Sequence, residues 1–289
     1  MRLAIVGLGL IGGSIARAVH DGPGRARFES ISAWSPSGRG PRAALADGAI
    51  DRAAPSLAGA IDRAEIIVLA ADPLACLGLL DELAQVPVAD ERPTITDVAS
   101  TKALLLGRAD ELGLNYVGGH PLAGLETTGY ENSRADLFVG RPWVICPGAL
   151  ARPVDLERVD ELLAACRAER HWLGAAEHDR AVAAISHLPL VVAAALVESV
   201  SAAEDWSLAE ELAAGGWLSA TRLARGDATM GAGIAATNAP ELARRLRSLH
   251  IQLGDWLADL EATPADPAAT ADRIRTRLSA AKRALEAAQ

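Results

Sequence analysis

Residues 2–12 read RLAIVGLGLIG, and residues 13–19 continue GSIARAV. An apolar run of strand type enters a G-x-G-x-x-G turn, and a pattern with helical spacing leaves it. Each glycine has its own task in such a turn. Gly7 permits the tight reversal, Gly9 lets the backbone approach a pyrophosphate, and Gly12 allows the helix to pack closely on the strand. Leu10 and Ile11 open that helix, whose N–H groups and positive dipole end suit an anion. The stretch predicts the first βα unit of a dinucleotide-binding fold, with Gly7, Gly9, Leu10, Ile11 and Gly12 against the cofactor.

Working outward, short β-type runs alternate with helical stretches: ISAW (31–34), EIIVLA (65–70), TITDV (94–98), NYVGG (115–119) and WVICP (143–147). This is the pattern of a parallel sheet with crossover helices. An amphipathic stretch, VDLERVDELLAACRAE (154–169), and one more apolar piece, HWLG (171–174), complete it. From about Ala176 no strand signal remains. The rest reads as helices divided near Gly215-Gly216, near Gly231–Gly233 and at TPADP (263–267). The expected architecture is α/β: a Rossmann-type parallel-sheet domain over residues 1–174, followed by an all-helical domain over residues 175–289.

Half of the 289 residues are apolar, enough for a substantial core. The net charge is -9 and no basic block occurs, so the electrostatic footprint of a nucleic-acid binder is missing. Cys76, Cys146 and Cys166 are an odd count without metal-ligand spacing, in apolar contexts typical of reduced thiols. No metal is expected, no signal sequence is read at the start, and the expected compartment is the cytoplasm. AVAAISHLPLVVAAALV (181–197) is short for a membrane span and interrupted by His187 and Pro189, so a buried helix is expected there.

An NAD-type site usually places Asp or Glu at the end of the second strand, for the ribose hydroxyls. Here that strand runs into Ser35-Pro36-Ser37-Gly38-Arg39, with Arg42 nearby. Two hydroxyls and two guanidiniums accept a 2′-phosphate without charge repulsion, which favours NADP over NAD, with Ser35, Ser37 and Arg39 as contacts.

In an open parallel sheet the ligand lies beyond the carboxyl ends of the strands. ADP (71–73), DVASTK (97–102) and GGHPLAG (118–124) occupy those positions, which nominates Ala71, Asp72, Ser100 and His120. Taken singly, Ser100 reads equally well as a helix N-cap, His120 as a turn histidine, and Lys102 as a surface lysine. Their convergence beside a nicotinamide site favours chemistry.

GLGLIGGSIA, DVASTK, GGHPLAG with Glu126 and Gly129, ADLF (135–138), HDRAVAAISHLP (178–189) and SATRLARGD (219–227) follow one another over about residues 1–250. Together they resemble the prephenate and arogenate dehydrogenases of tyrosine biosynthesis. The resemblance implies a dinucleotide domain followed by a helical domain that binds substrate and forms a homodimer. It implies oxidative decarboxylation of a cyclohexadienol, with hydride transfer to NADP or NAD. His120 is then the base and Ser100 its partner on the same substrate hydroxyl. Arg222 would hold the side-chain carboxylate, in a cleft between the domains. Ser186, His187, Gly124 and Glu126 are further substrate contacts by the same resemblance.

Leu190 departs from the family pattern, because many prephenate-using members carry a second histidine there. Together with ATMGAGIAATNAPELARRL (228–246), it is similar to arogenate-preferring, NADP-using members. The alternative is a β-hydroxyacid dehydrogenase or imine reductase of the same architecture, in which HPLAG and SHLP have no obvious place. The expected partners are a small-molecule substrate and a second copy of the chain, without nucleic acid or membrane, and no tyrosine-binding regulatory domain is read.

Overall fold

Leu3 and Ile5 of the first strand face one apolar cluster, and Ala4 and Val6 face another, so β1 (Arg2–Val6) is buried on both sides. That is the period-2 signature of a strand inside a sheet covered by helices on both faces. The computed structural model describes residues 1–22, 24–86, 92–125, 127–262 and 266–287.

From β1 the chain runs through α1 (Leu10–Asp21), β2 (Ser30–Trp34), α2 (Arg39–Ala46), β3 (Arg52–Ala53), α3 (Leu57–Ile61) and β4 (Ile66–Leu69). Next come α4 (Pro73–Gln85), β5 (Thr94–Asp97), α5 (Ala103–Glu111), β6 (Tyr116–Pro121), β7 (Pro142–Pro147), α6 (Pro153–Cys166) and β8 (Glu169–Trp172). The sheet order is β3-β2-β1-β4-β5-β6-β7-β8. β1 to β6 are parallel, which is the Rossmann-type arrangement expected.

The expectation of a parallel sheet needs one correction. β7 pairs antiparallel to β6, and β8 then runs parallel to β7. Among the described residues between β6 and β7 the one helical element is a 3-10 turn at Tyr130–Asn132, so no crossover helix is seen there and the chain returns alongside itself. α6 provides the crossover from β7 to β8. This antiparallel return also changes the setting of His120, which sits in β6 opposite Val144, and not in a loop after the strand. Pro121 restricts His120 to an extended backbone, as the ladder requires.

The helical part continues with α7 (Ala175–Val182), a π turn (Ala183–His187), α8 (Leu188–Ser201), α9 (Trp206–Glu211), α10 (Gly215–Ala220), a 3-10 turn (Arg222–Arg225) and α11 (Ala228–Thr237). α12 (Ala239–Glu261) and α13 (Pro267–Glu286) follow. By its internal contacts the chain forms two compact units, Met1–Ala239 and Pro240–Gln289. Within the second, Asp259 pairs with Arg273 and Arg277, and Arg277 lies over the Trp256 ring.

Ala175–Ser201 is long and apolar enough to cross a membrane by length and composition alone, and 22% of its most apolar window is buried within the chain. The expectation of a buried helix over 181–197 therefore holds only in part, because α8 exposes Val192 while it buries Ala193. The run also carries buried His178, Asp179 and His187, whose polar atoms bond to neighbouring elements. Cys76, Cys146 and Cys166 are buried free thiols, and burial pushes Cys146 up to about 11.

Candidate functional site

At the start of α1 the three motif glycines occupy three different environments. A Cβ on Gly7, whose φ is +97°, would lie 2.3 Å from the Ala70 carbonyl oxygen, and one on Gly12 would lie 2.2 Å from the Gly7 carbonyl oxygen. Neither distance is tolerable, so both positions exclude a side chain. A Cβ on Gly9 would meet nothing within 4 Å. Gly9 caps α1 without a side-chain hydrogen bond to its first turn, where Leu10 and Ile11 are half-buried. Open space before uncapped helix N–H groups is the cradle a pyrophosphate fits.

The end of β2 lies beside this loop. Gly40, in the first turn of α2, comes so close to Leu8 that a Cβ would lie 2.0 Å from the Leu8 carbonyl oxygen. On the segment that makes this approach Ser35 is half-buried, and Ser37, Arg39 and Arg42 are exposed. The Arg39 amide donates to Ser37 Oγ at 3.3 Å, and Arg42 donates to the Ser37 carbonyl at 3.4 Å. At the end of β4, Ala71 and Asp72 are half-buried, and the Asp72 carboxylate caps α4 by accepting from the Ala75 amide at 3.0 Å.

Below His120 lies a buried polar cluster. Asp97, at the end of β5, accepts from the Ala99 amide at 2.7 Å, from the Gly119 amide at 3.2 Å, from the Tyr116 hydroxyl and from Lys102. Lys102 is 0% exposed, and its Nζ also donates to the Gly119 carbonyl at 2.7 Å. The surface reading of Lys102 is thereby excluded. Gly119 is required here, since a Cβ would lie 2.5 Å from the Asp97 carbonyl oxygen.

His120 is half-buried, and its Nδ1 lies 2.8 Å from His178 Nε2, with the two rings nearly perpendicular at 80°. His178 Nδ1 in turn lies 2.8 Å from Asp179 Oδ1. The Asp179 carboxylate also accepts from the Lys102 and Ala103 amides, so it closes the N-terminus of α5 across 76 residues or more of chain. Burial alone would raise the Asp179 carboxyl, but the His178 bond and those two amides hold it below the ordinary carboxylate range. Burial lowers His120 well below the ordinary imidazole value, and Lys102, His178 and His187 push it the same way.

His187 ends the π turn and is buried. Its Nδ1 lies 3.1 Å from Asn238 Nδ2, which also donates to the Asp179 carbonyl at 2.8 Å. Burial lowers His187 to about 4, an effect partly offset by Asp179 and by the Ser100 backbone. A π turn at such a place is a common device for aiming one side chain out of helical register. Thr101 and Thr237 share a buried hydrogen bond of 2.8 Å, so the loop carrying Ser100 is fastened to α11.

Ser100 is half-buried on the loop after β5, Ser186 and Gly124 are exposed, and the turn beginning at Arg222 packs on α8. Glu126 lies outside the described residues. Leu190, in the first turn of α8, reaches to 3.5 Å from where a Gly231 Cβ would stand.

His178, Asp179, Asn238 and Asp97 were not singled out from sequence. One signal was available: three of the chain's six histidines, His171, His178 and His187, fall within seventeen residues, and His178 is followed directly by a carboxylate.

Two family models match this chain. The prephenate dehydrogenase nucleotide-binding domain matches residues 24–171, and the prephenate dehydrogenase dimerization domain matches residues 174–259. Prephenate dehydrogenase from Bacillus subtilis (strain 168) is 31% identical over 263 residues, which cover 90% of this chain and 68% of that one. The crystal structure of Synechocystis arogenate dehydrogenase superposes with a TM-score of 0.76 at 28% identity, covering 98% of this chain and 100% of that chain. Prephenate dehydrogenase from A. aeolicus, solved with hydroxyphenyl propionate and NAD+, shares the fold, with a TM-score of 0.82 at 24% identity over 98% of each chain.

Proposed function

This chain belongs to the prephenate dehydrogenase family, and we propose that it is an NADP-preferring oxidoreductase that oxidatively decarboxylates a cyclohexadienol, arogenate or prephenate, with His120 as the base. The observation that carries this reading is the His120 ring at the carboxyl end of β6, held through Nδ1 while Nε2 has no protein partner among the described residues.

A nicotinamide dinucleotide on the Gly7–Gly12 turn supplies the hydride acceptor. The chain's own residues manage the proton and the charges. His120 Nε2 takes the ring hydroxyl proton as the carbon beneath it is oxidised. When the ring carboxylate leaves as carbon dioxide, the same oxygen becomes a phenolate and takes that proton back, so the base is reset within one turnover. Ser100, on the adjacent strand-end loop, orients the hydroxyl. Arg222 binds the side-chain carboxylate, and Ser186, His187 and Gly124 complete the enclosure. Ser35, Ser37 and Arg39 at the end of β2 receive a 2′-phosphate, where the sequence offers no carboxylate to repel it.

Leu190 removes a hydrogen-bond donor from this region. The keto group of prephenate needs a donor and the ammonium of arogenate does not, so an apolar side chain favours arogenate. The match to a dimerization domain, with exposed Leu208, Leu212 and Leu218 in one unit and Ile251, Leu253 and Leu257 in the other, supports a homodimer formed through helical segments, and the compartment proposed for it is the cytoplasm.

The test is a steady-state comparison of prephenate and arogenate, each with NAD and with NADP. The highest kcat/KM is expected for arogenate with NADP. No turnover in any combination contradicts the functional reading, and a higher kcat/KM with NAD contradicts the cofactor assignment.

A further inference from the structure

The imidazole behind the base decides which nitrogen of His120 is basic. Asp179 Oδ1 accepts from the Lys102 amide at 2.8 Å and lies 2.8 Å from His178 Nδ1, while Oδ2 accepts from the Ala103 amide at 2.9 Å. An ionised carboxylate only accepts hydrogen bonds, so the proton between Asp179 and His178 sits on His178 Nδ1. Taking His178 as neutral at rest, this is its single N–H, and His178 Nε2 carries a lone pair. Two lone pairs cannot share a hydrogen bond, so the 2.8 Å contact requires His120 Nδ1 to be the donor. His120 then has its remaining lone pair on Nε2, the nitrogen without a protein partner among the described residues.

We propose that His178 and Asp179 are positioning residues that lock His120 in the Nδ1–H tautomer, making Nε2 the basic atom, and that His178 shares the charge when Nε2 is protonated. In that step Nε2 gains the substrate proton and the Nδ1 proton shifts toward His178 Nε2 along the existing hydrogen bond. Asp179 stays ionised and faces the resulting cation. When the phenolate reclaims its proton, the shift reverses, so no proton leaves the site and no further reactant is needed. The arrangement answers a specific difficulty. Lys102 is a buried cation bonded to the peptide that precedes His120, and a second full positive charge on that ring would be costly. Moving part of the charge one ring further out, against Asp179, lowers that cost. This inference rests on reading His120 as the base.

Two measurements on the full chain test it. Long-range proton–nitrogen NMR of the histidine rings, assigned with His120→Asn and His178→Gln, reads the tautomers without cofactor or substrate. The expected result is protonated Nδ1 and bare Nε2 on both His120 and His178; a protonated Nε2 on His120 overturns the proposal. Kinetics supply the second readout. His178→Phe removes the acceptor and is expected to lower kcat about 10²-fold with KM little changed, on the scale of general-base catalysis. His178→Gln offers an amide oxygen in its place and is expected to recover most of that loss. Equal kcat in wild type and His178→Phe overturns the relay. If His178→Phe does not fold, the wild-type tautomer decides alone. If wild type turns over neither substrate, the functional reading fails while the tautomer result still stands.

Discussion

Lys102 Nζ donates to the Gly119 carbonyl at 2.7 Å, so the one buried lysine among the described residues is bonded to the peptide that leads into His120. The same ammonium pairs with Asp97, which gathers two amides and the Tyr116 hydroxyl. The cluster ties β5 to β6 and fixes the strand that carries His120.

Removing one partner of such a pair strands the other charge in the interior. Lys102→Met is expected to destabilise the fold by about 3–5 kcal/mol, measured as a lower midpoint in urea unfolding. A change within about 0.5 kcal/mol, the usual size for a surface position, contradicts a structural role for this pair.

The pH dependence follows from the direction of the His120 shift. Burial comes first, and Lys102, His178 and His187 add to it, so His120 is neutral at and above its ordinary value near 6.5. Activity that needs the neutral base falls only as pH drops through the lowered pKa. The acid limb of kcat/KM for the free enzyme is therefore expected below pH 6.5, and a limb above pH 7 contradicts the assignment.

Stability shares this sign. His187 titrates at about 4 in the folded chain and near 6.5 when unfolded, so the unfolded state binds its proton first as pH falls. Its contribution is fully present above about pH 6.5 and is lost between there and about pH 4. A Tm series across that window is expected to fall with pH, and His187→Gln is expected to flatten part of the fall.

The cofactor and substrate cations are tested through KM. Charge-assisted contacts contribute about 1.5–3 kcal/mol, roughly ten- to hundredfold in affinity. Replacing Arg39 and Arg42 together by Ala is expected to raise KM for NADP by about that factor and to leave KM for NAD nearly unchanged. Arg222→Ala is expected to raise KM for the cyclohexadienol similarly while cofactor affinity holds. An unchanged KM removes the residue concerned from its site.

The α/β half was legible because its signals are local. RLAIV, ISAW, EIIVLA and WVICP mark strands by composition, and GLGLIG marks the turn by glycines whose necessity the close approaches at Ala70 and Gly7 explain. The antiparallel return of β7 was not legible, because it depends on how the chain between Pro121 and Pro142 turns back and on pairing between distant segments. The contact of His120 with His178 spans 58 residues and joins a strand to a helix, a relation that neither periodicity nor motif spacing encodes. Lys102 was ambiguous for the same reason, since its burial is a property of Asp97 and Gly119 around it and not of its own neighbours in sequence.

With His120 Nε2 proposed as the base for oxidation of a cyclohexadienol, the decisive measurement is turnover by His120→Asn, with NADP affinity determined on the same preparation. kcat is expected to fall about 10²–10⁴-fold while NADP binds as in wild type. Near-normal kcat in that variant contradicts that assignment.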